Sequence, residues 1–508
     1  MAAAAIVPAA QAEAPSTAIP EGDYKIYTRS GKSLQFDAWE GALYEMEQDV
    51  YGFYAEVVFG ADNKVWMRNI LTFINADYWT EGRVEGDKII IPAGQVIAVD
   101  PYAQCDVLLY PAEMSLTGEG ESTELNINPT DAAEITYTIT ETGISLDNCG
   151  DANHVIAGFL DSPEGLAWNE MADFLTVYTA SDVTPALPPS GLETKTCNWI
   201  YTNPNKALVD LDDLAGFKVS AGIDGDKLYL TDFNGNLTLV GDIADGKVTF
   251  ADGQLTGLAN AYPMFLRAVN ATIIPTEWGQ MVEYAPAGAD IVFDFDADTM
   301  TLSNPSSDVA LCTSDDVAYP MAGYIKPKLS LPSEGAIVPK APAFTDVRDL
   351  AEWGELPDNE PRWAIALRSS IFGVDDAMMD RSKLYFRIWV NGNDEPYVFK
   401  KDLYSSLEED ITDVPLTYSD QDFFISMDTY QNYYLFEDNL ESIRACLVYK
   451  GGDTERVSES ALWQAGGISG VNADDNCDAQ VYDIAGRPVK GTPAPGIYIK
   501  GNRKIIVK

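Results

Sequence analysis

The feature that most constrains this chain is a stretch of alternating sequence that occurs twice. Residues 82–95 read GRVEGDKIIIPAGQ and residues 241–254 read GDIADGKVTFADGQ. Gly82, Lys88, Gly94 and Gln95 recur as Gly241, Lys247, Gly253 and Gln254. Apolar positions correspond as well: Val84 with Ile243, Ile89 with Val248, Ile91 with Phe250. A second block follows in the same order. Residues 134–148, EITYTITETGISLDN, match 290–304, DIVFDFDADTMTLSN. Their apolar positions, 135, 137, 139, 144 and 146 against 291, 293, 295, 300 and 302, keep a period of two, break at a turn and resume. That is the pattern of an antiparallel hairpin with one wet face. Upstream, Gly52-Phe53 and Lys64-Val65-Trp66 match Gly216-Phe217 and Lys227-Leu228-Tyr229. Strand order is kept while loops lengthen and shorten, the signature of a duplicated unit.

Two similar all-β units are therefore expected, at 13–187 and 188–338, each a β-sandwich or small barrel of short strands. Turns are expected at Asp62-Asn63, Glu85-Gly86-Asp87 and Asp224-Gly225-Asp226, and Pro-rich links at 184–190 and 331–342. The repeated Gly-Gln pair reads as a strand-terminal glycine in a bulge, with the glutamine tying down a turn. From residue 339 to 463 the pattern changes. Aromatic strands such as 384–390 and 443–449, entered through Pro339-Lys340-Ala341-Pro342, resemble a fibronectin type III-like sandwich. Helix is expected only in short pieces, near 350–353 and 401–407.

Asp and Glu number 79 against 33 Lys and Arg, a net charge of −46. Such a surface repels nucleic acid and anionic membranes, so neither is an expected partner. No apolar run reaches the roughly 18 residues of a membrane span. Against this background the end of the chain inverts. Residues 464–508 are expected to be a linker and a separate β module, with short alternations either side of a turn-rich middle and a Gly501-Asn502 hairpin turn. From Arg487 onward there are six Lys or Arg and no acid.

VYDIAGR at 481–487, PGIYI at 495–499 and a Lys-rich end closing on Val507-Lys508 resemble the C-terminal sorting domain of type IX secretion cargo in Bacteroidota. The resemblance places Tyr482, Asp483, Gly486, Arg487, Gly496, Tyr498 and Lys508 on the sorting motif. It implies export through the periplasm to the outer surface or medium, with the type IX machinery as a partner. Residues 1–12, MAAAAIVPAAQA, read as the remnant of a signal peptide cut between Ala12 and Glu13. The repeated pattern also resembles secreted Bacteroidales proteins of unknown activity and carries no catalytic residue over.

Motifs for chemistry are sparse. His154 is the single histidine, and the cysteines at 105, 149, 197, 312, 446 and 477 form no CxxC pair, so a structural zinc site is not expected. Six thiols permit many disulfide pairings, and small buried thiols serve equally well. Asp294, Asp296 and Asp298 match the start of a calcium loop, but Thr299 and Pro305 stand where such a loop needs Gly and Glu, leaving only adventitious calcium. No G-x-S-x-G, P-loop or dinucleotide motif is present. Trp66, Tyr78, Trp79, Trp199, Tyr430, Tyr433 and Tyr434 are candidate platforms for a sugar ring or a protein surface. The expected function is a secreted or surface-attached, non-enzymatic β protein that binds glycan or a host or surface protein, or serves as a spacer. The alternative is a polysaccharide hydrolase using paired carboxylates. No catalytic, cofactor or metal residue is assigned.

Overall fold

The computed structural model describes residues 16–465, apart from 38–41, 73–75, 77, 101, 118–123, 148, 152, 209, 278, 334, 354–359, 405, 420–423, 428–429 and 453, and then 481–483, 496–500 and 503–507. Regular structure among them is strand, with single 3-10 turns such as Leu350–Trp353. The all-β expectation holds.

The first unit contains β1 (Asp23–Asp37), β2 (Ala42–Glu47), β3 (Tyr54–Phe59), β4 (Lys64–Arg68), β5 (Thr80–Glu85), β6 (Lys88–Pro92) and β7 (Gln95–Val99). It continues with β8 (Asp106–Thr117), β9 (Glu124–Pro129), β10 (Glu134–Ile139), β11 (Gly143–Leu146), β12 (His154–Ser162) and β13 (Gly165–Ala180). Strands β1, β3, β4, β5, β6, β10, β11 and β13 pair in that order, and β13 pairs back onto β1 to close a barrel. From β13 the sheet also runs outward through β12, β8 and β7, with β9 on β8 and β2 lying on β1.

The second unit repeats this plan with β14 (Thr194–Thr202), β15 (Leu214–Asp224), β16 (Lys227–Phe233), β17 (Leu237–Ala244), β18 (Lys247–Phe250) and β19 (Gln254–Ala259). Then come β20 (Tyr262–Thr276), β21 (Gly279–Pro286), β22 (Ile291–Asp296), β23 (Thr301–Ser303), β24 (Asp308–Cys312) and β25 (Ala322–Ser330). The ring is β14, β15, β16, β17, β18, β22, β23 and β25, closed by β25 on β14, with β24, β20, β19 and β21 outside it. Every strand has a counterpart in the first unit except that β2 is unmatched. Two of the irregularities coincide. The closing ladder bulges between Ser30 and Lys32 in one barrel and between Ile200 and Thr202 in the other. The outer hairpin bulges between Val96 and Ala98, and again between Leu255 and Gly257.

The alternating residues fill these interiors. Ile89, Ile91, Ile135, Tyr137, Ile144 and Leu146 are buried in the first barrel, and Val248, Phe250, Ile291, Phe293, Phe295, Met300 and Leu302 in the second. The repeated Gly-Gln pair has one job in both. Gly94 and Gly253 each sit at φ +80°, a left-handed conformation that suits glycine. The following glutamine then imitates a strand. Gln95 Oε1 accepts from Glu81 N at 2.8 Å while its Nε2 donates to Glu81 O at 2.8 Å. Gln254 does the same to Val240, at 2.8 and 2.7 Å. Each amide completes a two-bond bridge between β7 and β5, or β19 and β17, where no backbone partner is present.

The third unit is a sandwich. One sheet orders β26 (Ala343–Asp349), β27 (Trp363–Arg368), β31 (Tyr430–Leu435) and β30 (Phe424–Met427). The other orders β29 (Asp413–Pro415), β28 (Leu384–Val390) and β32 (Ser442–Tyr449), with β33 (Arg456–Val457) and β34 (Ala461–Gln464) both on β32. Ile365, Leu367, Tyr433 and Leu435 of the first sheet share a core with Phe386, Ile388, Ile443 and Leu447 of the second. At the end of the chain β35 (Val481–Asp483), β36 (Gly496–Lys500) and β37 (Arg503–Val507) form an antiparallel sheet of their own.

The units touch. The outer hairpin of the second barrel sets Leu255 and Phe265 against Tyr24, Ile26, Val58 and Trp79 of the first. At its tip Tyr54 N donates to Ala261 O at 2.7 Å, and the rings of Phe53 and Tyr262 lie 4.6 Å apart. Gln95→Ala and Gln254→Ala are each expected to cost about 1–3 kcal/mol, since each leaves two strand groups without their bridge. Urea denaturation of the two variants checks this, and near-equal losses are the expected result.

Candidate functional site: a cleft between the second barrel and the sandwich

The register of the closing strands identifies equivalent positions that no sequence match reveals. Arg29 lies opposite Tyr178, and Trp199 lies opposite Leu329. Asp173 precedes Phe174, the partner of Lys32, as Tyr324 precedes Ile325, the partner of Thr202. Arg29 thus takes the place of Trp199, and Asp173 that of Tyr324. In the second barrel Trp199 and Tyr324 join Phe233 and Phe293 in an aromatic cluster. In the first, Arg29 and Asp173 are a buried ion pair at 3.6 Å. The carboxylate accepts from Ser33 Oγ at 2.7 Å and from Thr72 N and Oγ1 at 2.9 and 3.0 Å, and Arg29 Nη1 donates to Thr72 Oγ1 at 2.9 Å. Burial pushes the Asp173 carboxyl up, while Arg29, Ser33 and Thr72 pull it back. The mouth above this cluster is stopped by Gln48, which donates to Lys32 O at 2.8 Å and Thr176 Oγ1 at 3.0 Å from a 3-10 turn following β2.

The second barrel lacks that insert, and the same end opens on a cavity of about 890 Å³ shared with the sandwich. Tyr201 follows the buried run of β14 that ends at Ile200, and Asn203, Asp210 and Asp212 come from the loop between β14 and β15. Backbone links hold that loop: Asn203 Oδ1 accepts from Asn205 N at 3.0 Å, and Asp210 Oδ2 from Ala207 N at 2.8 Å. Gly216 lets the sandwich approach, because a Cβ there would lie 3.1 Å from Met378 Sδ and 2.8 Å from Trp199 O. Opposite stand Arg368, Met378, Asp380 and Tyr430. Arg368 ends β27 and pairs in register with Tyr430, the first residue of β31, so its guanidinium lies 4.7 Å from the centre of that ring.

The wall carries three carboxylates, and each faces a cation across the two units. Lys218 Nζ lies 2.7 Å from Asp380, Lys340 Nζ 2.9 Å from Asp212, and Arg368 Nη1 3.7 Å from Asp210. Burial alone would raise the Asp380 carboxyl. Lys218 and the Ser382 hydroxyl and amide overcome that and hold it below the usual carboxylate range. Burial would lower Lys340, and its bonds to Asp212 and Asp376 hold it above the ordinary lysine value. The arrangement joins the units and presents aromatic faces, amides and fixed charges to a guest.

Of the aromatic candidates only Tyr430 lines this cavity. Trp79, Trp199 and Tyr433 are buried in cores, and Trp66 packs under Lys64 with its Nε1 donating to Glu81 at 3.3 Å. Asp296 caps its own turn, accepting from Asp298 N at 3.0 Å, and Asp294 pairs with Lys247 at 2.8 Å. His154 Nδ1 lies 2.9 Å from Asp151 beside a crevice of about 280 Å³. Cys149 shares that crevice, but burial, with Asp147 and Asp151, pushes its thiol up to about 12, too high for a nucleophile at neutral pH. The described cysteines are all free thiols. In the terminal sheet Tyr482 pairs with Ile499 and Asp483 with Tyr498, while Gly496 opens the middle strand opposite Val507. Gly486, Arg487, Lys508, Ala12 and Glu13 lie outside the described residues.

Fold and cleft together define an all-β multidomain protein built on a duplicated barrel. No protein family, curated protein or solved structure matches the chain. Among the described residues no helix is long and apolar enough to cross a membrane.

Breaking the buried pair one-sidedly with Arg29→Met is expected to destabilise by about 3–5 kcal/mol. Installing the second barrel's residues, Arg29→Trp with Asp173→Tyr, is expected to cost less than the single change. Equilibrium denaturation of both variants is the check.

Proposed function

We propose that the chain is an exported, non-enzymatic surface or secreted protein that binds glycan in the cleft between its second barrel and its sandwich. The observation that carries the reading is the cleft itself. A sugar ring has apolar faces and a polar rim, and here Tyr201, Phe217 and Tyr430 supply aromatic surface beside Asn203 and Asn205. Its size is that of a site for a short oligosaccharide rather than a single small ion.

Hydrolysis is the less favoured reading. It needs one carboxyl held protonated and another left free. In this cleft Asp212 and Asp380 are hydrogen-bonded to lysines, and Asp380 is held low. Those carboxylates have the role of ties between units.

Export rests on the resemblance of the tail to type IX sorting domains. A basic sheet that, among the described residues, shares no ladder with the sandwich before it suits a handle read by separate machinery. Deleting 479–508 is expected to retain the protein in the periplasm, and display unchanged by the deletion would refute the export reading. On a glycan array the full chain is expected to bind, and Tyr430→Ala to weaken that binding about tenfold or more, in line with the loss of a stacked ring. Binding unaltered by Tyr430→Ala would move the site elsewhere.

A further inference from the structure

Arg368 is the cation of the cleft whose hydrogen-bonding capacity is unused. Lys218 and Lys340 each donate to carboxylates at 2.7–2.9 Å. The Arg368 guanidinium makes no hydrogen bond among the described residues. Its nearest carboxylate oxygen, on Asp210, is 3.7 Å away, and the other oxygen of Asp210 is taken by Ala207 N. Its Nε is sealed from solvent without a partner, while 22% of the side chain remains open to the cleft. That sealed Nε is out of a guest's reach, so it is the open Nη edge of the guanidinium that a guest's oxygens can meet. Its Cζ lies 4.7 Å from the centre of the Tyr430 ring, and a planar two-oxygen acceptor matches the fork of a guanidinium.

The local charge points the same way. The chain carries 79 acids to 33 bases, yet the cleft wall holds Lys218, Arg368 and Arg381 against Asp210, Asp212 and Asp380. Three to three is a strong enrichment of positive charge, and repulsion from the distant acids is screened beyond about 8 Å at physiological salt. Resting on the glycan reading above, we infer that the bound glycan is acidic: a sugar carboxylate, of the uronic type, caps the guanidinium of Arg368 while the ring lies against Tyr430.

The test is titration calorimetry of the full chain with oligogalacturonate and, in parallel, neutral cello-oligosaccharides. The acidic ligand is expected to bind more tightly, to weaken as salt rises, and to lose about tenfold or more in affinity on Arg368→Gln. Arg368→Lys is expected to recover little, because an ammonium lacks the fork. Equal binding of neutral and acidic glycans by the unaltered protein would overturn this inference and leave the glycan reading standing. Binding of neither would overturn both. Preference for an acidic peptide over either sugar would also overturn it. The comparison of ligands on the unaltered protein needs no variant, so a poorly folding Arg368→Gln leaves the outcome decisive.

Discussion

Both barrels exist because their first and last strands find each other. Pairing of β1 with β13, and of β14 with β25, turns an open sheet with two exposed edges into a ring with none. The ladder is built around a bulge at the same place in each, which bends the strand and re-aims the side chains beyond it. Several features that distinguish the two units lie near that bulge: the buried Arg29–Asp173 pair and the Gln48 side chain in one, the Trp199–Tyr324 cluster and the open cleft in the other.

The duplication supplies its own comparison. Twelve strand positions, two bulges and one glutamine bridge are common to the two units, so these are what the architecture requires. The barrel interior near the mouth was not. One copy fills it with rings whose burial is favourable by itself, the other with charges that hold together only while every partner is present. The copy with the apolar filling is also the copy that meets the sandwich across a cleft. A rigid, self-sufficient wall suits a position where another unit must be met at fixed distance.

Much of this was legible in the sequence where side chains alternate. The period of two across 134–146 and 291–302 marks the hairpins and their inward faces, whereas Gly94 lies in the turn before β7, the bulge falls between Val96 and Ala98, and Gln95 reaches across to Glu81 of β5. The closing strands were not legible, because the residues at their heart had diverged: Arg29 shares nothing with Trp199, nor Asp173 with Tyr324. The insert carrying β2 and Gln48 left no signal either, because the second unit has no counterpart to set it against. The cleft was invisible for another reason. Lys218 and Asp380, or Asp210 and Arg368, are far apart along the chain, and nothing local in either segment announces the other. Tyr430 was singled out for its aromatic neighbours, of which Tyr433 proved to be core.

The ring closure also sets an order of events at birth. The ladder joins Tyr27 to Ala180 and Thr202 to Ile325, so neither ring can shut until its final strand has been synthesised and has returned to its first. Such distant pairings make for slow folding. Each unit therefore stays an unclosed sheet until its last strand has been made, with β1 or β14 still waiting for the neighbour that completes its ring.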